Sequence, residues 1–495
     1  MRRAGRLAMI KFASGGALDQ GGGAVLFAVS LILAGCASTS PFSPPPLPTP
    51  QTFPGQPQAK GSIGAVGWRD FFQEPPLRGL IETALANNRD VRIAAARLDE
   101  ARAALRIESA ALYPSLDGVA TSTRGRTPAD LSITGRAETG GEYRSVLSAG
   151  WEIDFWGRLR ASRQAALQQY LATDEARRAV ATSLIAQVAG GYLLEREYEE
   201  RIALARRTVA SREESLRILR RRYEVGAGSK LEMTQAQTLL AQARTAVEAL
   251  DQDQAVNRHA LAVLVGRPVE MASGPLQLSE VGPDQPLPAG LASELLVNRP
   301  DVIAAEHRLR AAGANIAAAR AAFFPNITLT AGGGTASAQL DGLFKGGSQA
   351  WSFTPSLDLP IFDGGRRDAN LDLSLARRDI AVADYERTVQ SAFRDVADAL
   401  VQRRQLAARI ADARDMLAAL QERARLADLR FANGRSTYLE VQDAQRDLFE
   451  TEQALVQLRR GYLASGVALY AALGGGGGGD ASFPPPHQTL KEPAR

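Results

Sequence analysis

The sequence predicts a mainly α protein that also supplies strands to a membrane β-barrel, with one architectural half written twice. Three observations predict this: two proline-free stretches of about 65 residues, short segments that alternate apolar and polar residues, and motifs that recur at a constant offset. Composition agrees. Of 495 residues, 45% are hydrophobic but only 6% aromatic, which favours close-packed helices with small side chains over a large aromatic core. One cysteine excludes disulfides and any cysteine-based zinc site. His259, His307 and His487 are too scattered in the sequence to suggest a histidine metal centre. The net charge is +4, but Arg2, Arg3, Arg6 and Lys11 against Asp19 place +3 of it in the first 35 residues. No basic stripe for nucleic acid is left.

The chain opens with a targeting signal. Basic residues precede the apolar run Ala24–Ala34, which at about 11 residues is too short to span a bilayer and suits the apolar region of a secretory signal. It ends in Leu33-Ala34-Gly35-Cys36, which resembles a bacterial lipobox. That resemblance implies a signal peptide over 1–35 and a Cys36 thiol that takes a diacylglycerol, with an N-acyl chain (palmitate) on the new amino terminus. Ala37 follows in place of the Asp linked to inner-membrane retention, so outer-membrane sorting is expected; the long stretch before the apolar run, with Asp19 and a Gly run inside it, points to Met9 as an alternative start. Residues 36–61 are a Pro/Ser-rich tether without the means to build a core.

The repeat decides the fold. Asn88-Arg89-Asp90-Val91 recurs as Asn298-Arg299-Pro300-Asp301-Val302, and Tyr113-Pro114-Ser115-Leu116 as Phe324-Pro325-Asn326-Ile327. Phe155-Trp156-Gly157-Arg158 recurs as Phe362-Asp363-Gly364-Gly365-Arg366, and Tyr223-Glu224-Val225-Gly226 as Phe431-Ala432-Asn433-Gly434. Each half reads helix, strand, loop, strand, very long helix, tight turn, helix. The long helices are expected at Arg158–Arg222 and Arg366–Arg430, each roughly 100 Å. In the second, Val382, Tyr385, Val389, Ala392, Val396, Ala399, Arg403, Leu406, Ile410, Ala413, Leu417, Leu420, Ala424, Ala427 and Phe431 step by three and four, a sustained heptad.

Helices 89–112 and 229–264 nearly match the first long helix end to end, as 301–323 and 437–472 match the second, so two shorter helices should stack on each long one. Gly226 and Gly434 stand where a left-handed residue ends a helix. Ser229-x-x-Glu232 and Thr437-x-x-Glu440 read as capping boxes opening the next helix.

The expected strands alternate. Leu147, Ala149, Trp151, Ile153 and Phe155 share one face of 146–155, and Trp351, Phe353, Pro355, Leu357, Leu359 and Ile361 share one face of 351–361. Weaker alternation marks Leu116, Gly118 and Ala120, and Ile327, Leu329 and Ala331. Such segments suit an outer-membrane barrel. Four strands cannot close one alone, so an oligomer is required, of two, three or four chains.

From about Gly67 to Gly474 the chain resembles the TolC-like outer-membrane efflux channels, in particular the lipoprotein branch serving resistance–nodulation–division pumps. Phe362-Asp363-Gly364-Gly365-Arg366 and Phe431-x-x-Gly434-x-x-x-Tyr438-Leu439-x-x-x-Asp443-Ala444-Gln445-Arg446 carry the resemblance. It implies a homotrimer with a twelve-stranded barrel and a helical periplasmic tunnel. It also implies a periplasmic adaptor and an inner-membrane pump as partners; with no G-x-S-x-G, no Walker A and no paired metal ligands in the sequence, neither catalysis nor a cofactor is expected. The expected division is a first repeat over 62–266, an equatorial connector over 267–297, a second repeat over 298–473 and a Gly/Pro-rich tail over 474–495. The segments 54–88, 268–290 and 474–495 should form a belt around mid-tunnel. At the periplasmic gate the resemblance places Leu439 and Asp443 in the constriction, Arg446 as the lock, and Tyr223 with its hydroxyl in the first half. Gln235 stands where the second half has Asp443, so one carboxylate ring follows. On residues alone, Asp443 and Arg446 are an i, i+3 pair of a solvated helix face. Two other functions share features of the sequence: the outer-membrane component of type I protein secretion, and a periplasmic adaptor lipoprotein without a pore.

Overall fold

The computed structural model describes Gly64, residues 66–270, Leu278, Leu287, Gly290 and residues 295–475. The signal, Cys36, the tether and much of the expected belt lie outside the described residues.

The chain builds α1 (Trp68–Phe71), α2 (Pro75–Asn87), α3 (Arg89–Ala110), β1 (Ser115–Thr127), β2 (Glu138–Ile153), α4 (Arg158–Glu224) and α5 (Lys230–Val265). The second half repeats the order with α6 (Leu295–Asn298), α7 (Pro300–Ala321), β3 (Asn326–Ser337), β4 (Gln349–Asp358), α8 (Arg366–Ala432) and α9 (Tyr438–Ala472). The long helices α4 and α8 are 67 residues each, about 100 Å, and run two residues beyond the expected ends. Every residue of the predicted α8 seam is buried or half-buried. Its one polar member, Arg403, stacks on the Tyr462 ring at 4.1 Å and donates to the Tyr462 carbonyl at 3.4 Å. The seam accepts that residue because its guanidinium has a ring and an acceptor on α9.

Shorter helices stack as expected: α3 and α5 on α4, and α7 and α9 on α8, while α4 also packs on α7 and α9. Both hairpin turns close alike. Gly226 and Gly434 have φ of +73° and +71°, and the next residue donates back to the last turn, Ala227 to the Arg222 carbonyl and Arg435 to that of Arg430, both at 2.8 Å. The two capping boxes do not share a fate. Ser229 and Glu232 form theirs; the Thr437 side chain makes no cap hydrogen bond, and Glu440 instead lies 3.8 Å from Arg430. An arginine across the turn competes for the carboxylate that the box needs.

The strands form one antiparallel sheet in the order β1-β2-β3-β4. β2 begins eight residues earlier than expected and stops at Ile153, because the Asp154 carboxylate accepts from the Leu159 and Arg160 amides and starts α4. β4 stops at Asp358, before Pro360, which has no N–H to offer a ladder. Near mid-length of the long helices lies the largest core among the described residues, where Tyr192, Val188, Tyr385 and Val396 meet Ile81, Val302 and Leu469. There Phe71 stacks on Tyr470 at 4.2 Å and the Tyr470 hydroxyl donates to the Val66 carbonyl at 3.0 Å, so α1 and the residues before it are held against α9. A second cluster ties the two hairpins through Leu216, Leu219, Leu240, Tyr438 and Val441.

Candidate functional site

Three levels along the long helices and the sheet carry the candidate residues. At the first level, register decides the faces of the sheet, since residues paired across an antiparallel ladder share a face. Leu116, Ala149, Ala331 and Phe353 form one row; Gly118, Leu147, Gly333 and Trp351 form the next. Ile153, Ile327 and Leu357 form a third row of the same parity. The apolar faces read from single strands are therefore one continuous face, and it is uncovered: Leu147 is 59% exposed and Trp351 84%. The opposite face carries Asp117, Ser148, Gly332 and Ser352 in one row and Thr330 with Thr354 in another. An apolar outside and a polar inside are what a barrel wall in lipid requires. The outer edges of β1 and β4 are unpaired among the described residues, which in lipid is tolerable only if other chains complete the ladder.

At the second level a buried polar band crosses α4. Glu195 is fully buried and accepts from Gln254 (2.9 Å), Asn257 (3.1 Å) and Arg258 (2.8 Å) on α5. Arg196 donates to the Tyr192 hydroxyl at 3.1 Å and to Glu199 at 2.8 Å. Burial and Glu74 beside it push the Tyr192 hydroxyl up to about 12, so it stays a neutral acceptor for the guanidinium. Arg201 donates to Gln453 at 2.8 Å, and Glu200 accepts from the Leu278 amide at 3.1 Å.

At the third level are the residues expected at the gate. Leu439, Asp443 and Arg446 follow one stripe of α9, at i, i+4 and i+7, and Leu439 is 51% exposed. Arg446 lies 3.5 Å from Asp443 and 3.3 Å from Asp447. Asp447 in turn accepts from Arg423 on α8 at 2.7 Å, and that hydrogen bond holds its carboxyl below the usual range. Tyr223 sits exposed at the end of α4; among the described residues no hydrogen bond or ion pair joins it to this trio. Arg222 stacks on Phe431 at 5.3 Å, linking the two hairpins beside it. Arg423 and Asp447 escape sequence reasoning because they are 24 positions apart and meet only once α8 and α9 pack.

The sequence profile of the outer membrane efflux protein family matches residues 80–267 and 291–475. The chain belongs to that family. It is 44% identical over 471 residues to a toluene efflux pump outer membrane protein of Pseudomonas putida, covering 92% of this chain and 97% of that one. It is 38% identical to the cation efflux system protein CusC of Escherichia coli over 91% of this chain and 97% of the relative. Among solved structures it is similar to a membrane protein from Pseudomonas aeruginosa, with a TM-score of 0.85, 40% identity and coverage of 89% and 98%. The open state of the MtrE channel of Neisseria gonorrhoeae gives 0.79, 37%, and 88% and 97%. Members of the outer membrane efflux protein family are exit channels and not a known enzyme family. The long-helix bundle is therefore the tunnel of an outer-membrane efflux channel, and the four-stranded sheet its share of a barrel.

Proposed function

We propose that three copies of this chain join β1 to β4 into a twelve-stranded barrel, forming the lipid-anchored exit duct of a tripartite efflux system. A periplasmic adaptor and an inner-membrane resistance–nodulation–division pump would load drugs or other small molecules, and the duct would conduct them passively. The observation that carries this reading is the continuous apolar face running in register across all four strands and ending at two open edges. α1 and α2, packed at mid-length of the long helices, support a belt there, and the matched pairs of elements support repeats over 62–266 and 298–473; the connector would be 267–297 and the tail 474–495. Leu439, Asp443, Arg446 and Tyr223 would face the constriction at the hairpin tips. Cys36, following the signal 1–35 and opening the tether, would carry the diacylglycerol and N-acyl chains that fix the duct to membrane lipid.

Two measurements test the proposal. Purified protein added to planar bilayers should give discrete conductance steps from a trimer; absence of steps from folded protein would sink the duct. Mass spectrometry of the mature amino terminus should find the acyl mass on Cys36, and lose it in Cys36→Ser; an unmodified wild-type terminus would overturn the anchor.

A further inference from the structure

We propose that Arg124 and Arg126 form a site for the phosphate groups of an anionic glycolipid in the outer leaflet of the membrane. The sheet register places them. On the apolar side of the sheet the β2 positions ascend from Ile153 through Leu147 to Tyr143, away from the helices, and Tyr143 pairs with Ser122 on β1. The next two positions of that face on β1 are Arg124, opposite Gly141, and Arg126, opposite Thr139. From Ile153 to Tyr143 is roughly 34 Å of strand, or about 24 Å along the membrane normal at a 45° tilt. That is the height of the apolar band of such barrels, about 25 Å. Tyr143 therefore stands at the outer rim of the band, where aromatic rings gather, and the two arginines stand just above it, at headgroup level.

Charge is segregated across the two faces at this rim. The neighbouring carboxylates, Glu138 and Glu142, pair with Thr127 and Thr123 and so lie on the opposite, luminal face. There Glu142 takes Arg144 at 3.3 Å and Glu138 accepts from Thr134. No carboxylate among the described residues pairs with Arg124 or Arg126, and both are exposed. Two uncompensated guanidiniums about 7 Å apart on a lipid-facing surface call for an anion from the lipid itself. Guanidinium suits phosphate because its planar fork donates two parallel hydrogen bonds. The same charge lower on this face would cost about 2–4 kcal/mol at mid-bilayer, and near nothing at the interface. The outward position of these residues rests on the barrel reading above.

The test uses the purified full-length channel mixed with lipopolysaccharide whose lipid A carries both phosphates, with retained glycolipid counted by mass spectrometry. The R124Q/R126Q double variant should retain about thirtyfold less than wild type, two interfacial cations each contributing on the order of 1 kcal/mol. Wild type should lose a similar fraction when the lipid A is dephosphorylated, and R144Q on the luminal face should retain as much as wild type. Equal retention by wild type and double variant, or an equal loss in R144Q, would overturn the site. Full displacement by inorganic phosphate would overturn the lipid as its source. If the double variant fails to assemble, the phosphorylated and dephosphorylated lipids compared on wild type decide alone. Conductance of the same samples keeps the two readings apart: conducting channels with unaltered retention sink only this site, whereas folded protein without conductance sinks the barrel.

Discussion

Glu197 on α4 accepts from Arg460 Nε on α9 at 2.8 Å, across 263 positions of sequence, while Glu195, two residues earlier, holds Arg258 on α5 at 2.8 Å. Residues two apart on a helix point about 200° apart, so the two carboxylates reach opposite neighbours. Both are buried, Glu195 0% and Glu197 3% exposed. Together they pin the two lower helices to the post between them, at the level where the upper tier of short helices gives way to the lower.

Glu197→Ala should loosen that level. It leaves Arg201, which donates to Glu197 at 2.9 Å, and Arg460 without their anion. Losing one member of a buried pair costs about 3–5 kcal/mol, and the partial exposure of both arginines should bring this nearer about 2 kcal/mol. Assembled protein should dissociate at a lower temperature on semi-native gels, and Glu197→Gln should recover part of the loss. No change in Glu197→Ala would show that the clamp contributes nothing.

At the hairpin tips Asp443→Ala and Arg446→Ala should raise single-channel conductance and the uptake of a bulky antibiotic. One exposed pair contributes about 0.2–1 kcal/mol; three copies acting together reach about 0.6–3 kcal/mol, a shift of about 3–150-fold in the closed state. Arg423→Ala should act in the same direction, because it releases Asp447 from α8. Gln235→Ala removes no charge and should do less. Unchanged conductance in both Asp443→Ala and Arg446→Ala would make that pair an ordinary solvated face.

Two carboxyls near the tips should answer pH with opposite sign. The hydrogen bond from Arg423 depresses Asp447, so its contribution is present above the ordinary value of about 3.9 and lost only as pH falls through the lower folded value. Burial raises Asp428, so its contribution is full below the ordinary value and lost as pH rises through the folded one. At pH 7, Asp447→Asn should therefore speed hydrogen exchange across 423–447, whereas Asp428→Asn should slow it or leave it alone. The reverse ranking would refute the assignment.

In the barrel wall, Leu147→Arg or Leu357→Arg should cost about 2–4 kcal/mol if near the bilayer midplane and reduce assembled protein in membrane extracts. Arg at Ser148 or Ser356 should be milder, since both lie on the polar face, where Ser356 and Thr328 share a hydrogen bond. Equal damage on both faces would invalidate the lipid-facing assignment.

A last expectation concerns Gly474, where the chain leaves α9. Its φ is +103°, and a Cβ there would stand 2.4 Å from the Asn298 carbonyl oxygen. Gly474→Ala should destabilise the mid-tunnel core beyond the roughly 1–2 kcal/mol of a left-handed residue alone. Gly226→Ala, with φ +73° and nothing within 4 Å, should cost only that first part. Thermal dissociation of the two variants side by side checks the difference.

Periodicity made much of this molecule legible in the sequence. A side chain's face repeats every two residues in a strand and near 3.5 along a packed helix, so the seam of α8 and the apolar faces around Leu147 and Leu357 could be read without a partner in view. The turns at Gly226 and Gly434 were legible because left-handed geometry is local. Tertiary structure alone decided how far β1 and β3 extend, since Arg124, Gly125 and Arg126 alternate nothing apolar and are strand only because β2 pairs with them. It decided that Ser229 caps a helix and Thr437 does not, and that Glu440 lies beside Arg430 across the turn. It also decided the ties from Glu195 to Arg258, Glu197 to Arg460 and Arg423 to Asp447. Local sequence sets which way a residue points along its own helix, but the partner it meets depends on which helix packs there and at what height, and that is settled only when the long helices lie side by side.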